Sequence, residues 1–165
     1  MSARRYWQNL WAIPLMTRRR FPAPALEAIE TAIEAAEAQH GGEIRFVVET
    51  ALEFGALWRG VTARDRAIQV FSELGVWDTE HNNGVLIYVL MAEHDVEIIA
   101  DRGIAKRVSP QDWEAVCQEM ERGFRAGEFA AGAVRGIQGV SRLLAAHFPQ
   151  ATADHNEQPD QPLLR

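Results

Sequence analysis

The chain has 165 residues, of which 47% are hydrophobic and 24% charged, as is ordinary for one globular domain with a real core. Its formal net charge is −6, but residues 1–20 hold five arginines and no acid, so the other residues carry −11. This acidic body argues against nucleic-acid binding, and the single cysteine, Cys117, excludes an internal disulfide and fits a reducing compartment.

The first 20 residues are a basic and aromatic arm, for which two interpretations stay open. In one, the arm binds an anionic membrane surface or a protein partner. In the other, its tryptophans pack on the body or on a second subunit, and its arginines stay solvated. Pro14 is expected to interrupt any long helix here. The candidate partner-binding residues are Arg4, Arg5, Trp7, Trp11, Arg18, Arg19 and Arg20.

The arm does not look like a secretory signal, because polar residues interrupt its apolar ones and no small-residue cleavage site follows. No apolar run approaches the ~20 residues that a membrane span needs. We therefore expect a cytoplasmic protein, with peripheral contact at the inner membrane face if the arm binds lipid.

A helix, a strand and a second helix are predicted after the arm. Four apolar residues recur at helical spacing and predict a helix from about residue 22 to 39: Leu26, Ile29, Ile33 and Ala36. Alternating apolar residues predict a strand over 43–50. A capping box at residues 62–65 then opens a second helix, which Gly75 ends.

The stretch 82–103 predicts a hairpin at the centre of the sheet. Seven consecutive apolar residues, 85–91, predict a strand buried on both faces, which requires helices above and below it. A turn at 93–95 leads into a returning strand, 96–100. Polar residues stand at both ends of the hairpin, which we call the hairpin mouth: Asn82, Asn83, Asp101 and Arg102.

Two more helices are predicted after the hairpin, one capped at Ser109 and one over about 128–147. Cys117 lies on the apolar face of the first and is interpreted as a core residue rather than a nucleophile. Gly132 and Gly136 are one turn apart in the second and are expected to allow close helix packing. Residues 149–165 are predicted to be a disordered tail.

The predicted element order is α-β-α-β-β-α-α, with the first two strands parallel across a right-handed crossover and the third antiparallel. This pattern indicates an α/β fold, namely a three-layer α/β/α sandwich with a small mixed sheet, over residues 21–148.

Four motifs in this order resemble the TPM domain family: 83–87, 97–99, Gly103-Ile104 and 124–132. The family includes a plant thylakoid-lumen acid phosphatase and many bacterial proteins of unknown role. The resemblance covers residues 21–148 and implies an α/β/α sandwich. Because bacterial members are often associated with LemA-type membrane proteins, it also implies a membrane-bound partner for the arm.

The chain departs from the family pattern after the returning strand. Typical members continue there as Gly-Tyr-Gly-Leu-Glu, whereas this chain has Asp101-Arg102-Gly103-Ile104-Ala105, without the glutamate. Typical members are also exported and often carry a C-terminal membrane helix. The chain therefore resembles a short cytoplasmic branch of the family.

Some plant-type relatives bind calcium and cleave phosphomonoesters, which implies a calcium or magnesium site at the hairpin mouth. The candidate metal ligands are Asp78, Asn82, Asn83 and Asp101, with Glu80 and His81 nearby. Asp101 would act as acid/base and Arg102 as phosphate clamp. In the alternative interpretation, Asp78, Asn82 and Asn83 only form turns.

Two functional hypotheses follow. The first is a non-enzymatic interaction or regulatory module that acts with a membrane-bound partner such as a LemA-type protein. The second is a divalent-metal-dependent acid phosphatase with its site at the hairpin mouth. The lost glutamate argues against catalysis.

Overall fold

The computed structural model describes residues 3–149 and 156–165. In this part of the chain, eight helices and four strands follow in order: α1 (Ala3–Leu10), α2 (Pro14–Arg20), α3 (Ala23–Glu37), β1 (Glu43–Glu49), α4 (Phe54–Trp58), α5 (Ala63–Glu73), β2 (Gly84–Leu90), β3 (Asp95–Ala100), α6 (Arg102–Ala105), α7 (Pro110–Arg125), α8 (Phe129–His147) and β4 (Leu163–Leu164). The seven predicted elements are all present, and α1, α2, α4, α6 and β4 are additional.

The four strands form one mixed sheet in the order β3-β2-β1-β4. β1 and β2 are parallel, with Glu43 opposite Gly84 and Glu49 opposite Leu90. β3 returns antiparallel to β2, and β4 adds to the other side of β1. The predicted parallel crossover and central hairpin are therefore confirmed.

Helices cover both faces of the sheet because every residue of β1 and β2 is buried. On one face, Phe46 and Ile87 join side chains of α3, α7 and α8 in a core cluster. On the other, Val47 and Tyr88 pack with α4 and α5. This confirms the predicted α/β/α sandwich.

Local signals set the helix boundaries and one close helix contact. The Thr62–Asp65 capping box begins α5, and the Ser109 hydroxyl accepts a hydrogen bond from Asp112 N–H at the start of α7. A Cβ on Gly136 would collide with the Met120 side chain, so the glycine gives Met120 room to pack where α7 and α8 cross. Cys117 is buried as predicted, and burial raises the pKa of its thiol to about 12.

The prediction that residues 149–165 are disordered is wrong for residues 156–165; residues 150–155 lie outside the described part of the chain. The C-terminal residues lie along the free edge of β1, where Thr50 N–H donates to Arg165 O and Arg165 N–H donates to Val48 O. Arg45 Nη1 donates to the carbonyls of Pro159 and Gln161, at 2.6 Å each. The prediction was based on the polar composition of these residues, which indicates little apolar burial. It is wrong because backbone pairing orders this segment.

Glu37, at the end of α3, also contacts the C-terminal segment. Its Oε1 accepts a 2.7 Å hydrogen bond from Ile44 N–H, and its carboxyl group shares a hydrogen bond with Asp160. Burial, with the charges of Glu43 and Asp160, raises the pKa of Glu37 to about 9. Near neutral pH the protonated carboxyl therefore donates to Asp160 and holds the C-terminal segment on the sheet.

We predict that the stability of the wild-type protein falls as pH rises from about 4.5 to about 9, because only the folded state keeps the Glu37 carboxyl protonated over this range. The folded state binds a proton that the unfolded chain releases above the ordinary pKa of 4.5. The free energy of unfolding should then fall by up to about 1.4 kcal/mol per pH unit over that window. Glu37→Gln should remove this slope in urea unfolding at several pH values. Glu34→Gln, on an exposed position one turn earlier, should keep it, and an unchanged slope in Glu37→Gln would contradict the assignment.

Candidate functional site

The hairpin mouth lies where β2 begins and β3 ends, and backbone bonds close it. Asp101 N–H donates to Gly84 O and Gly103 N–H donates to Asn82 O, each at 2.9 Å. Asn82 has a left-handed backbone, with φ of 53°. A Cβ at position 103 would collide with Asn82 O, so glycine permits this close approach.

Two side-chain oxygens in the hairpin mouth are buried without a hydrogen-bond partner among the described residues: Asn83 Oδ1 and Asp101 Oδ2. Asn83 is 1% exposed and donates from Nδ2 to Gly41 O. Asp101 is 5% exposed, and its Oδ1 caps α6 by accepting from Arg102 N–H at 2.6 Å. Both free atoms are hard oxygen acceptors, which suits calcium or magnesium.

The other candidate site residues at this end are exposed. Arg102 and Asn82 face solvent, and Asp78, also exposed, lies in the turn after α5, where its N–H donates to Gly75 O. Across the described residues, no group of three or more His, Cys, Asp or Glu side chains could hold a metal ion. Of the four predicted metal ligands, Asn83 and Asp101 are therefore the buried ones.

The N-terminal arm is fixed to the body at the opposite end of the sheet. Arg5 Nε pairs with both oxygens of Glu93 at 2.8 and 2.9 Å, and Asn9 Nδ2 donates to the same carboxylate. Asn9 Oδ1 accepts from Leu52 N–H, and Thr50 Oγ1 is hydrogen-bonded to Thr17 Oγ1. Arg5 is thus committed to the body, which corrects its assignment as a partner-binding residue.

The arm presents its large apolar side chains to solvent. Trp7 and Trp11 stack on each other with centroids 6.4 Å apart and are 60% and 68% exposed. The interpretation in which they pack on the body is therefore wrong, whereas packing on a second subunit stays a prediction. We call the set Trp7, Leu10, Trp11, Ile13, Leu15 and Met16, all exposed, the apolar arm surface. Arg4, Arg18 and Arg19 are exposed on the same two helices.

A cleft beside the arm is lined by Arg4, Arg20, His94 and Arg125. We call it the arginine cleft. The sequence did not predict it, because Arg125 and His94 come from α7 and the β2–β3 turn, far from the arm in the chain. The sequence contained one indication of this cleft: His94 occupies a tight turn between strands, where asparagine or glycine is usual.

The sequence profile of the TPM domain matches residues 21–143. The chain belongs to the TPM domain family. The match begins after α2, so the arm lies outside the family's shared domain. No curated protein matches the chain.

Three solved structures of bacterial proteins are similar to this chain. BA42 from Bizionia argentinensis is 34% identical, with a TM-score of 0.77, over 87% of this chain and 94% of that one. The N-terminal domain of a P. gingivalis protein is 19% identical (TM-score 0.60, 78% and 81% coverage). The N-terminal domain of cg2496 from Corynebacterium glutamicum is 15% identical (TM-score 0.55, 82% of each). The last two likenesses show the fold alone.

None of the helices in the described part of this TPM domain protein has the length and apolar character needed to cross a membrane.

We predict that Glu93→Ala detaches the arm. The Arg5–Glu93 pair is only 18% and 13% exposed, so removing one partner leaves a desolvated guanidinium and should cost about 3 kcal/mol. Hydrogen exchange of the α1 amides should rise in the variant. In the control, Glu97→Ala removes an ion pair whose arginine is 60% exposed and should leave α1 protected. Unchanged α1 exchange in Glu93→Ala would contradict the role of this pair.

Proposed function

We propose that the protein is a non-enzymatic TPM-domain module that attaches peripherally to an anionic membrane surface through its arm. The observation that carries the proposal is the apolar arm surface. Six large apolar side chains on α1, on α2 and in the link between them are solvent-exposed, although the body has a well-filled core. Contiguous exposed apolar patches on soluble proteins mark interaction sites.

Charge complementarity favours a lipid surface as the occupant. Arg4, Arg18 and Arg19 are exposed beside the apolar arm surface, and arginines in this setting bind lipid phosphates. The rest of the chain is strongly acidic, so an anionic membrane repels it. Attraction at the arm and repulsion at the body select one orientation, with the arm end of the sheet at the membrane.

The fixed attachment of the arm supports the same function. Because Arg5, Asn9 and Thr17 hold α1 and α2 on the body, membrane binding would not cost the entropy of ordering a free segment. The body would then be presented at a fixed angle to a membrane-bound partner, such as a LemA-type protein at the inner membrane face.

We predict that the double variant Trp7→Ser/Trp11→Ser loses binding to vesicles that contain an anionic lipid. Two tryptophans supply much of the apolar area that would enter the headgroup region, so the partition coefficient should fall at least about tenfold. Vesicle co-sedimentation measures this directly. Trp77→Ser is the matched control, since Trp77 is 53% exposed but lies outside the arm.

The wild-type protein should bind neutral vesicles much more weakly than anionic ones. Equal sedimentation of the wild type and the double variant would rule out membrane attachment through the arm. If the wild type bound no vesicles, and the double variant no longer bound a protein partner that the wild type binds, the apolar arm surface would be assigned to a protein instead.

A second candidate, a divalent-metal-dependent phosphatase, is favoured by the two unpartnered oxygens of Asn83 and Asp101. A cation there would supply their missing partner and could polarise a phosphate oxygen. Arg102 is exposed at the rim, where it could clamp the phosphate. The buried part of the hairpin mouth has a single carboxylate, that of Asp101, and Ala105 replaces the glutamate of typical members. We therefore rank this candidate below membrane attachment.

For this second candidate we predict that calcium binds the wild type and binds Asp101→Asn at least about tenfold more weakly. Asparagine keeps an oxygen for the α6 cap, so the fold should persist. Asp78→Asn should bind calcium like the wild type if the ligand set is Asn83 with Asp101. Calorimetric titration and hydrolysis of a chromogenic phosphate provide separate tests. Absence of calcium, magnesium and manganese binding would exclude this candidate.

A further inference from the structure

The arginine cleft is a second polar site, at the far end of β2 from the hairpin mouth. The seven residues of β2 separate the two by about 20 Å. The cleft has a volume of about 540 Å³ and lies between the arm, the β2–β3 turn and the turn from α7 to α8. It stands beyond the carboxyl ends of the parallel strands β1 and β2, where open α/β sheets commonly bind ligands.

Three helices each contribute one guanidinium group to this cleft: Arg4 from α1, Arg20 from α2 and Arg125 from α7. Within the described residues, no ion pair involves Arg4 or Arg20. Arg125 pairs with Glu121 at 3.2 Å, but its side chain is 57% exposed, so this pair is weak and exchangeable. The three arginines are therefore available to an added anion.

Glu93 is the acidic residue that lines the arginine cleft, and it is already neutralised. Both of its oxygens accept from Arg5, and Asn9 donates to one of them. The cleft therefore keeps a net positive charge, although the rest of the protein is acidic. Arg20 also lies over the ring of Phe129, 5.2 Å from its centroid, which fixes the guanidinium at the wall of the cleft.

His94 stands among these three arginines in an unfavourable backbone conformation. Its φ is 53°, in the left-handed region that histidine adopts at a cost and that glycine adopts freely. Partial burial lowers the pKa of His94, and the charges of Arg20, Arg125 and Arg4 lower it further. The same three charges would stabilise an anion placed beside the imidazole.

We propose that the arginine cleft binds the phosphate group of a phosphomonoester. Arginines bind phosphate by paired, charge-assisted hydrogen bonds, and three guanidinium groups that line one cleft suit a dianion with three equivalent oxygens. The volume exceeds that of a bare phosphate, so the ester group also has room. The phosphomonoester can be a soluble compound or a lipid headgroup, because the apolar arm surface adjoins the cleft through α1 and α2.

In the first test, the full-length protein is titrated with inorganic phosphate and, separately, with glycerol 3-phosphate. The chemical shifts of the His94 imidazole are measured by NMR at each concentration. Saturable shifts are expected, and the pKa of His94 should rise in the bound state because an anion favours imidazolium. Arg20→Gln and Arg125→Gln should each weaken binding about tenfold. Arg122→Gln is the matched control, since Arg122 is an exposed arginine one turn earlier on α7.

The second test distinguishes the two sources of phosphate with vesicles that contain phosphatidic acid or phosphatidylglycerol. A preference for phosphatidic acid that Arg20→Gln and Arg125→Gln both abolish indicates a lipid headgroup. Weaker binding of glycerol 3-phosphate in these variants, with no such vesicle preference, indicates a soluble ligand. Either result supports the proposal.

Absence of saturable phosphate binding, or equal weakening by Arg122→Gln, would overturn the proposal. The Trp7→Ser/Trp11→Ser variant keeps the three arginines, so it should bind glycerol 3-phosphate normally even if its membrane attachment is lost. This variant therefore distinguishes a failure of the phosphate-binding proposal from a failure of the membrane-attachment proposal.

Discussion

The burial of β1 and β2 on both faces is the constraint on which the rest of the structure depends. These two parallel strands leave no side chain for solvent, so α3, α7 and α8 have to cover one face and α4 and α5 the other. The same constraint decides where polar chemistry can occur. Because the centres of β1 and β2 are covered, these two strands can present polar groups to a ligand only at their ends.

The two ends of the sheet carry opposite chemistry. At the hairpin mouth, Asn83 and Asp101 present oxygen acceptors that have no hydrogen-bond partner in the described part of the chain, which suits a cation. At the other end, Arg4, Arg20 and Arg125 surround His94, which suits an anion. The arm produces this difference, because α1 and α2 bring two of the three arginines. The matched TPM domain begins only at residue 21, so Arg4 and Arg20 lie outside the residues that match the family.

The free edge of β1 shows how buried polar groups order a polar segment. Glu43 accepts from Gln158 N–H, Arg45 donates to two carbonyls, and Glu49 binds Arg66 and the Tyr88 hydroxyl. Each buried charge therefore has a partner, as desolvation requires. The C-terminal segment closes an edge that would otherwise expose unpaired backbone groups. In the sequence these residues only indicate a partly polar strand, because the partners of Glu43 and Arg45 lie more than 110 residues away and those of Glu49 lie on other elements.

The sequence by itself determined the elements whose causes are local. The apolar run 85–91, the caps at Thr62 and Ser109 and the helical stripe of α3 predicted the sandwich and the pairing of β1, β2 and β3, and the hairpin predicted that Asn83 and Asp101 lie close together. Only the tertiary structure decided three other features: that residues 156–165 are ordered, that Arg5 fixes the arm, and that three distant arginines meet at His94. Each depends on a contact between segments far apart in the chain, and no local periodicity or cap encodes such a contact.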